Sequence, residues 1–222
     1  MIEVYPNVFL IEIQLKNNPL KALNCFIIRS NEQSMIIDTG FNTEETQHEI
    51  LDAMNELGID MKNTIIFLTH LHSDHTGLAN FFDKKGAKIY ASKIDGDIMN
   101  NSLSREDSYW QGVLTDAISQ GLEEDKLSLD DHPGFKYRAR EYINYTAAYP
   151  GDRIKIGEFN FEVINLEGHT PGCIGLYDEV SKIFFCGDHI LGKITPNITF
   201  WGFEYGDSLG IYLENLDKVY DM

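Results

Sequence analysis

Three imidazoles and a carboxylate fall within six residues at His70-Leu71-His72-Ser73-Asp74-His75, directly after the apolar run Ile65-Ile66-Phe67-Leu68. Imidazole suits zinc, iron and copper, and a neighbouring carboxylate suits a divalent ion that also holds water. Four good donors in one short segment are too many for a single closed structural zinc. The spacing therefore points to a metal centre that does chemistry at the end of a strand, in preference to a solvated polar loop that happens to hold histidines. Such a centre needs further donors from distant segments and an open coordination position. Gly168-His169-Thr170-Pro171-Gly172 follows the alternating run Phe159-Asn160-Phe161-Glu162-Val163-Ile164 and sets a histidine on a Gly/Pro turn. Cys186-Gly187-Asp188-His189 follows Ile183-Phe184-Phe185 and sets an aspartate at the equivalent place. Donors thus collect at the ends of three strands, where a rigid scaffold presents its functional loops.

The elements that must position these donors alternate between strand and helix. Residues 2 to 15, 23 to 29 and 34 to 38 read as strands, with Asn17-Asn18-Pro19 marking a turn. Residues 42 to 57 read as an amphipathic helix capped by Asn42, with Glu45 three residues on, Ile50, Leu51, Met54 and Leu57 on one face, and Gly58 as its stop. The metal strand spans 64 to 69. A short helix carrying Leu78, Phe81 and Phe82 follows, its N-terminus beside Asp74. Strands return from about 150, and Leu209, Tyr212, Leu213, Leu216 and Val219 fall on one face of a helix that begins at Ser208.

Thr69-His70-Leu71-His72-Ser73-Asp74-His75-Thr76-Gly77, then Gly168-His169-Thr170-Pro171-Gly172, then Gly187-Asp188, all preceded by Ile37-Asp38-Thr39-Gly40, resemble in type and order the motifs of the metallo-β-lactamase superfamily. The resemblance covers nearly the whole chain. It implies an α+β fold, an αββα sandwich of two mixed β-sheets flanked by helices, with residues 1–222 as a single domain. It further implies that His70, His72 and His169 hold a first metal ion, and that Asp74, His75 and Asp188 hold a second, with Asp188 bridging. Asp38 then orients a ligand without binding the metal itself. The expected cofactor is zinc, one or two ions, with iron or manganese as alternatives. In the family a variable insertion lies over the metal at the place of residues 91–150. Tyr109 and Trp110 in that segment, and Phe200 and Trp201 in the later aromatic loop, are expected to line a substrate pocket.

Two-metal members usually continue past the Gly-Asp segment through a helix and a strand to a further histidine, which completes the second metal. Here the last histidine is His189, and the chain closes on the helical pattern. The sequence is therefore expected to lack the family's final strand, histidine and helix, with the second metal weak or absent. An uncovered sheet edge and apolar surface would favour a homo-oligomer. His132 is expected at the surface, and His189 in the first turn after Asp188, facing substrate.

The formal net charge of −17 disfavours nucleic acid as a partner. No stretch approaches the roughly 20 apolar residues that span a bilayer, so no membrane partner is expected. Met1-Ile2-Glu3-Val4-Tyr5-Pro6 has neither a basic start nor a long apolar run, and three widely spaced cysteines form no framework of pairs. These features favour a reducing cytoplasm. The expected activity is hydrolysis of an ester, thioester or lactone of a small organic substrate by a zinc-bound hydroxide, resembling the hydroxyacylglutathione hydrolases and lactonases of the superfamily. Asp74 would hold the hydroxide and pass a proton to the leaving group. No protein nucleophile is needed, and a serine hydrolase built on a Gly-x-Ser-x-Gly elbow is not expected. The alternatives are a mononuclear iron dioxygenase acting on persulfides, and a metal-poor domain that binds a ligand without turnover.

Overall fold

The computed structural model describes residues 1–15, 21–126 and 128–222, so the turn expected at Asn17-Asn18-Pro19 lies outside the described residues. The chain opens with β1 (Ile2–Tyr5), β2 (Val8–Gln14), β3 (Ala22–Ile28) and β4 (Ser34–Ile37). The strand expected over residues 2 to 15 is thus two, broken at Pro6-Asn7, where Asn7 takes a left-handed φ of 63° and β1 folds back antiparallel on β2. Helix α1 (Glu44–Leu57) is capped by Thr43, whose hydroxyl accepts from Thr46 N, and not by Asn42, whose side-chain amide donates to Arg138 O. Gly58 ends it at φ 66°. Next come β5 (Thr64–Phe67), α2 (Ser73–Thr76), α3 (Ala79–Lys84), β6 (Lys88–Ser92), α4 (Lys93–Asn100), α5 (Ser108–Ser119) and α6 (Pro133–Lys136). Asp74 therefore sits inside its own short turn of helix, ahead of the helix that carries Phe81 and Phe82. The chain continues with β7 (Tyr145–Ala148), β8 (Arg153–Ile156), β9 (Phe159–Asn165), β10 (Ile174–Asp178), β11 (Ile183–Phe185) and α7 (Ser208–Tyr220).

Strands β1 to β7 make one sheet in sequence order, antiparallel as far as β4 and parallel from β4 to β7. The second sheet runs β11-β10-β9-β8 and is antiparallel throughout. The αββα sandwich is as expected, with the first sheet mixed and the second purely antiparallel. β7 pairs parallel with β6, so the end of the segment expected as an insertion belongs to the main sheet, and the helical excursion runs from 93 to 144.

The period of two along each strand divides the core. Met35, Ile37, Ile65 and Phe67 meet Ile154, Phe161, Val163 and Leu176 between the sheets. Ile36 and Ile66 turn the other way, onto Ile50 and Met54 of α1 and Phe82 of α3. Strands β4 and β5 are buried on both faces, which is why they read as unbroken apolar runs. α7 keeps Tyr212, Leu216 and Val219 of its expected face half-buried, but the face is rotated. Asn215 is its buried residue, with Nδ2 donating to Glu167 O, and Tyr212 OH donates to His189 O, while Leu209 and Leu213 are exposed. Polar anchoring through Asn215 and Tyr212 turns the helix so that the Leu209 and Leu213 edge of the stripe faces solvent. Among the described residues no helix is long and apolar enough to cross a membrane.

Candidate metal centre

Each anticipated donor lies on a segment leaving the end of a strand. Asp38 follows β4, the His70–His75 run leads from β5 into α2, His169 follows β9, and Asp188 lies in a short 3-10 turn after β11. Ile174 N donates to Thr69 O at 2.9 Å, joining the end of one sheet to the end of the other.

His70 Nε2 lies 3.1 Å from His72 Nδ1, and His169 Nε2 lies 3.0 Å from the same atom. The other nitrogens of two of these rings have defined partners. His169 Nδ1 is 2.7 Å from the carbonyl oxygen of Asn197, which can only accept, so the ring carries its proton there and turns the Nε2 lone pair inward. The Thr69 hydroxyl donates to Asp38 Oδ2 at 2.8 Å, and so accepts from His70 Nδ1–H at 3.0 Å. His70 Nε2 is thereby also an inward lone pair. Lone pairs this close repel unless a cation lies among them. A tetrahedral ion with metal–nitrogen bonds of about 2.0–2.1 Å sets its ligand atoms about 3.3 Å apart, and the His70–His72 and His169–His72 pairs lie near that spacing.

A second group adjoins the first. His75 Nδ1–H donates to Asp38 Oδ2 at 2.8 Å, leaving Nε2 3.4 Å from Asp188 Oδ1 and 3.8 Å from Asp74 Oδ2. The other Asp188 oxygen is 3.7 Å from His169 Nε2, so this carboxylate spans both groups. The donor atoms of His70, His75 and Asp188 lie within 4.8 Å of one another, as do those of His70, His72 and His169. Asp74 stands at the edge of the second group. Asp38 also accepts from Thr69 N at 2.9 Å, so one buried carboxylate aims His75 directly and His70 through Thr69.

Burial, then the neighbouring imidazoles, pushes His70 well below the usual histidine range and His72 down to about 3. Burial lowers His169 as well. These rings are neutral at pH 7, the state in which imidazole binds a metal. His75 behaves oppositely, because burial would lower it but the Asp188, Asp38 and Asp74 carboxylates together raise it well above 6.5. Burial would raise Asp188, yet the His75, His169 and His72 rings hold it well below the usual carboxylate range.

The family model of the metallo-beta-lactamase superfamily matches residues 19–220. The chain belongs to the metallo-beta-lactamase superfamily. Its relatives include the hydroxyacylglutathione hydrolase GloC of Haemophilus influenzae, 29% identical over 167 residues that make up 74% of this chain and 65% of that protein. The acyl-coenzyme A thioesterase MBLAC2 of Homo sapiens is 25% identical over 177 residues, 74% of this chain and 57% of that protein. The chain thus spans less than two thirds of the length of these relatives. Among solved structures, a metallo-beta-lactamase family protein from Thermus thermophilus superposes with a TM-score of 0.85 at 22% identity, covering 99% of this chain and 71% of that one.

Around this superfamily centre the expected substrate residues divide. Trp201 lies beside it, its ring 6.1 Å from His72 and its Nε1 donating to His169 O at 3.1 Å. Tyr109 stacks on Trp201 at 6.4 Å. Trp110 does not reach the pocket, because it is buried against Phe135 and Leu129 as the small core of the helical excursion, with Nε1 bonded to Ser102 O. Phe200 is 58% exposed and packs on the exposed ring of Phe203, with no ring contact to the histidines among the described residues. His189 does not face substrate. It is 0% exposed beneath Tyr212, with neither ring nitrogen hydrogen-bonded. His132 is at the surface, as expected.

The pentapeptide Gly206-Asp207-Ser208-Leu209-Gly210 does match the Gly-x-Ser-x-Gly spacing, contrary to expectation. A nucleophile elbow needs a strand before the serine. Here Asp207 caps α7, accepting from Gly210 N, and Ser208 is a first-turn helix residue. Thr69 and the Asn197 carbonyl are the functional groups that sequence reading missed. Thr69 precedes the first histidine, but its role depends on Asp38, 31 residues earlier, and a main-chain carbonyl carries no side-chain signal.

Proposed function

We propose that this chain is a metal-dependent hydrolase acting on an ester, thioester or lactone of a small organic substrate, with zinc as the ion. The observation that carries this reading is the convergence of three neutral imidazoles, His70, His72 and His169, beside His75, Asp74 and Asp188. The names of two relatives, a hydroxyacylglutathione hydrolase and an acyl-coenzyme A thioesterase, favour the thioester among the three. In this reading His70, His72 and His169 hold one ion, and Asp74, His75 and Asp188 hold the other. A divalent ion held there lowers the pKa of its water from about 15.7 to about 7 and polarises a carbonyl oxygen.

The chain's own residues do the rest. Asp38 fixes the tautomers of His75 and, through Thr69, of His70. Asp188 spans the two groups and keeps them together. Asp74, whose carboxyl burial raises, stands at the edge of the cluster, accepts a proton there and returns it to the leaving group. Trp201 and Tyr109 form an apolar wall next to His72 that excludes water from one side and orients the acyl group. The net charge of −17 and three free cysteines suit a cytoplasmic enzyme of a small substrate, with neither nucleic acid nor membrane as partner.

The test is elemental analysis of protein purified without added metal, coupled to a hydrolysis screen over thioesters, lactones and esters, with wild type beside His70→Ala. Bound metal and turnover in the wild type, both lost in the variant, are expected. A metal-loaded wild type that hydrolyses none of the three classes overturns the reading.

A further inference from the structure

Asp95 lies outside every motif considered so far and is fully buried, at 1% exposure. It is the third residue of α4, following the cap Ser92, whose hydroxyl accepts from Asp95 N at 3.1 Å. In a capping box an acidic side chain at this position would reach back to the cap's own N–H. Asp95 instead places both oxygens across two ligand loops. Oδ2 accepts from Leu71 N at 2.9 Å, the peptide between His70 and His72, and from Thr170 Oγ1 at 2.7 Å, next to His169. Oδ1 accepts from Gly172 N at 2.8 Å.

The approach is tight by construction. A Cβ on Gly172 would lie 2.3 Å from Ser92 Oγ and 2.7 Å from Asp95 Oδ1, so only glycine lets this loop reach the helix end. The helix in turn is seated against β7, where a Cβ on Gly96 would lie 2.4 Å from the Tyr145 ring. Burial pushes the Asp95 carboxyl up to about 7, while the Thr170, Leu71 and Gly172 hydrogen bonds pull it down. Three donors and a helix N-terminus converge on two oxygens, an arrangement that the carboxylate satisfies and an amide does not.

We propose that Asp95 is a positioning residue that holds the His70/His72 loop and the His169 loop at the separation a metal ion on the three imidazoles requires. It touches no proposed ligand side chain and acts through the Leu71 and Gly172 main chain and the Thr170 hydroxyl, which flank the ligands. The inference rests on the metal-site reading above, and it makes α4 part of the centre's scaffold.

Asp95→Asn keeps the size and leaves one of the three donors facing an NH2 group. Losing a partner that orients ligands typically lowers metal affinity 10–100-fold. Three readouts, on wild type, Asp95→Asn, Thr170→Val and His70→Ala, separate the outcomes. Hydrogen exchange at the Leu71 and Gly172 amides of metal-free protein should be faster in Asp95→Asn. Zinc affinity by chelator competition should fall 10–100-fold in Asp95→Asn and by less in Thr170→Val, which removes one bond of three and stands in if the first variant does not fold. The absorption bands of the cobalt-substituted protein should shift in Asp95→Asn, which a purely structural helix cap would leave unmoved.

Unchanged affinity and cobalt bands in Asp95→Asn, or in Thr170→Val where only it folds, overturn the proposal while His70→Ala still loses metal. A wild type that binds no zinc, or a His70→Ala variant that binds as well as wild type, overturns the metal-site reading and this inference with it.

Discussion

Asp38→Asn tests the centre at the point where one side chain does most to orient it. Asp38 holds a left-handed φ of 62°, a conformation asparagine adopts as readily, so the backbone is not perturbed. All three partners of the carboxylate are donors: His75 Nδ1, Thr69 Oγ1 and Thr69 N. An amide has one oxygen. If that oxygen takes the place of Oδ2, the NH2 group confronts Thr69 N–H. One charge-assisted hydrogen bond is then lost and a buried donor left bare, a cost of about 1–3 kcal/mol. If the amide is turned over, its NH2 group confronts His75 Nδ1–H, and the ring can only keep its proton on Nε2, where it then has no lone pair to offer a metal ion. In the first case His75 keeps only a neutral acceptor in place of a carboxylate, and in the second it is mis-protonated, while His70 is disturbed only through Thr69. At 1.4 kcal/mol per tenfold, zinc affinity at the His75/Asp188 group should fall about 10–100-fold, and that at the three-histidine group should fall less. Chelator competition, run beside thermal unfolding of the metal-free protein, separates affinity from stability. Unaltered affinity at both groups in a normally stable Asp38→Asn would refute the claim that this carboxylate sets the tautomers.

Three further outcomes follow from the geometry. Asp178→Ala removes a carboxylate that accepts from Asn160 N and from both Ser181 N and Oγ, bonds that outweigh burial and lower its pKa. The loss should be about 2–3 kcal/mol at pH 7. Because the folded pKa is depressed, that stability is fully present above the unfolded pKa of about 3.9 and fades as pH falls through the folded one, so wild-type and variant denaturation curves should converge in acid. Gly77→Ala would set a Cβ 2.3 Å from Asn42 N and 2.6 Å from Gly40 O, backbone that cannot swing aside. Urea denaturation should show a loss of at least about 1–3 kcal/mol, and a neutral result would mean that the close approach is not rigid. Trp201→Phe should abolish the quenching of intrinsic fluorescence by bound cobalt, since Trp201 stacks near His72, whereas Trp110→Phe should retain it.

What the sequence made legible and what it hid follow one physical division. His70, His72, His75, His169, Asp74 and Asp188 are recognisable because donor chemistry resides in the side chain and because each follows an apolar strand, and the fold gathers all six. The strands themselves are legible where burial on both faces leaves continuous Ile and Phe, as in β4 and β5. Aromatic rings are not so readable. Trp110 and Trp201 have the same apolar surface, and only tertiary placement sends the first, on α5, into a local core and the second, in the loop before α7, beside His72. The helix starts show the same limit, since Asn42 and Thr43 are both good caps and the choice between them depends on Arg138, some 96 residues away.

The tautomers carry this division into the chemistry. Whether a histidine offers Nε2 or Nδ1 to a metal depends on what its other nitrogen meets. For His169 that is the Asn197 carbonyl, for His70 the Thr69 hydroxyl and for His75 the Asp38 carboxylate. The carbonyl belongs to the backbone of a loop 28 residues further on, and any residue at 197 supplies it. The hydroxyl is one residue from its ring but works only because Asp38 takes its proton. The donors of this centre are therefore specified locally, and their protonation non-locally. It follows that substitutions at 38 and 69 should weaken metal binding about 10–100-fold, short of the loss expected on removing a ligand. Position 197 should tolerate side-chain changes that leave its main chain in place.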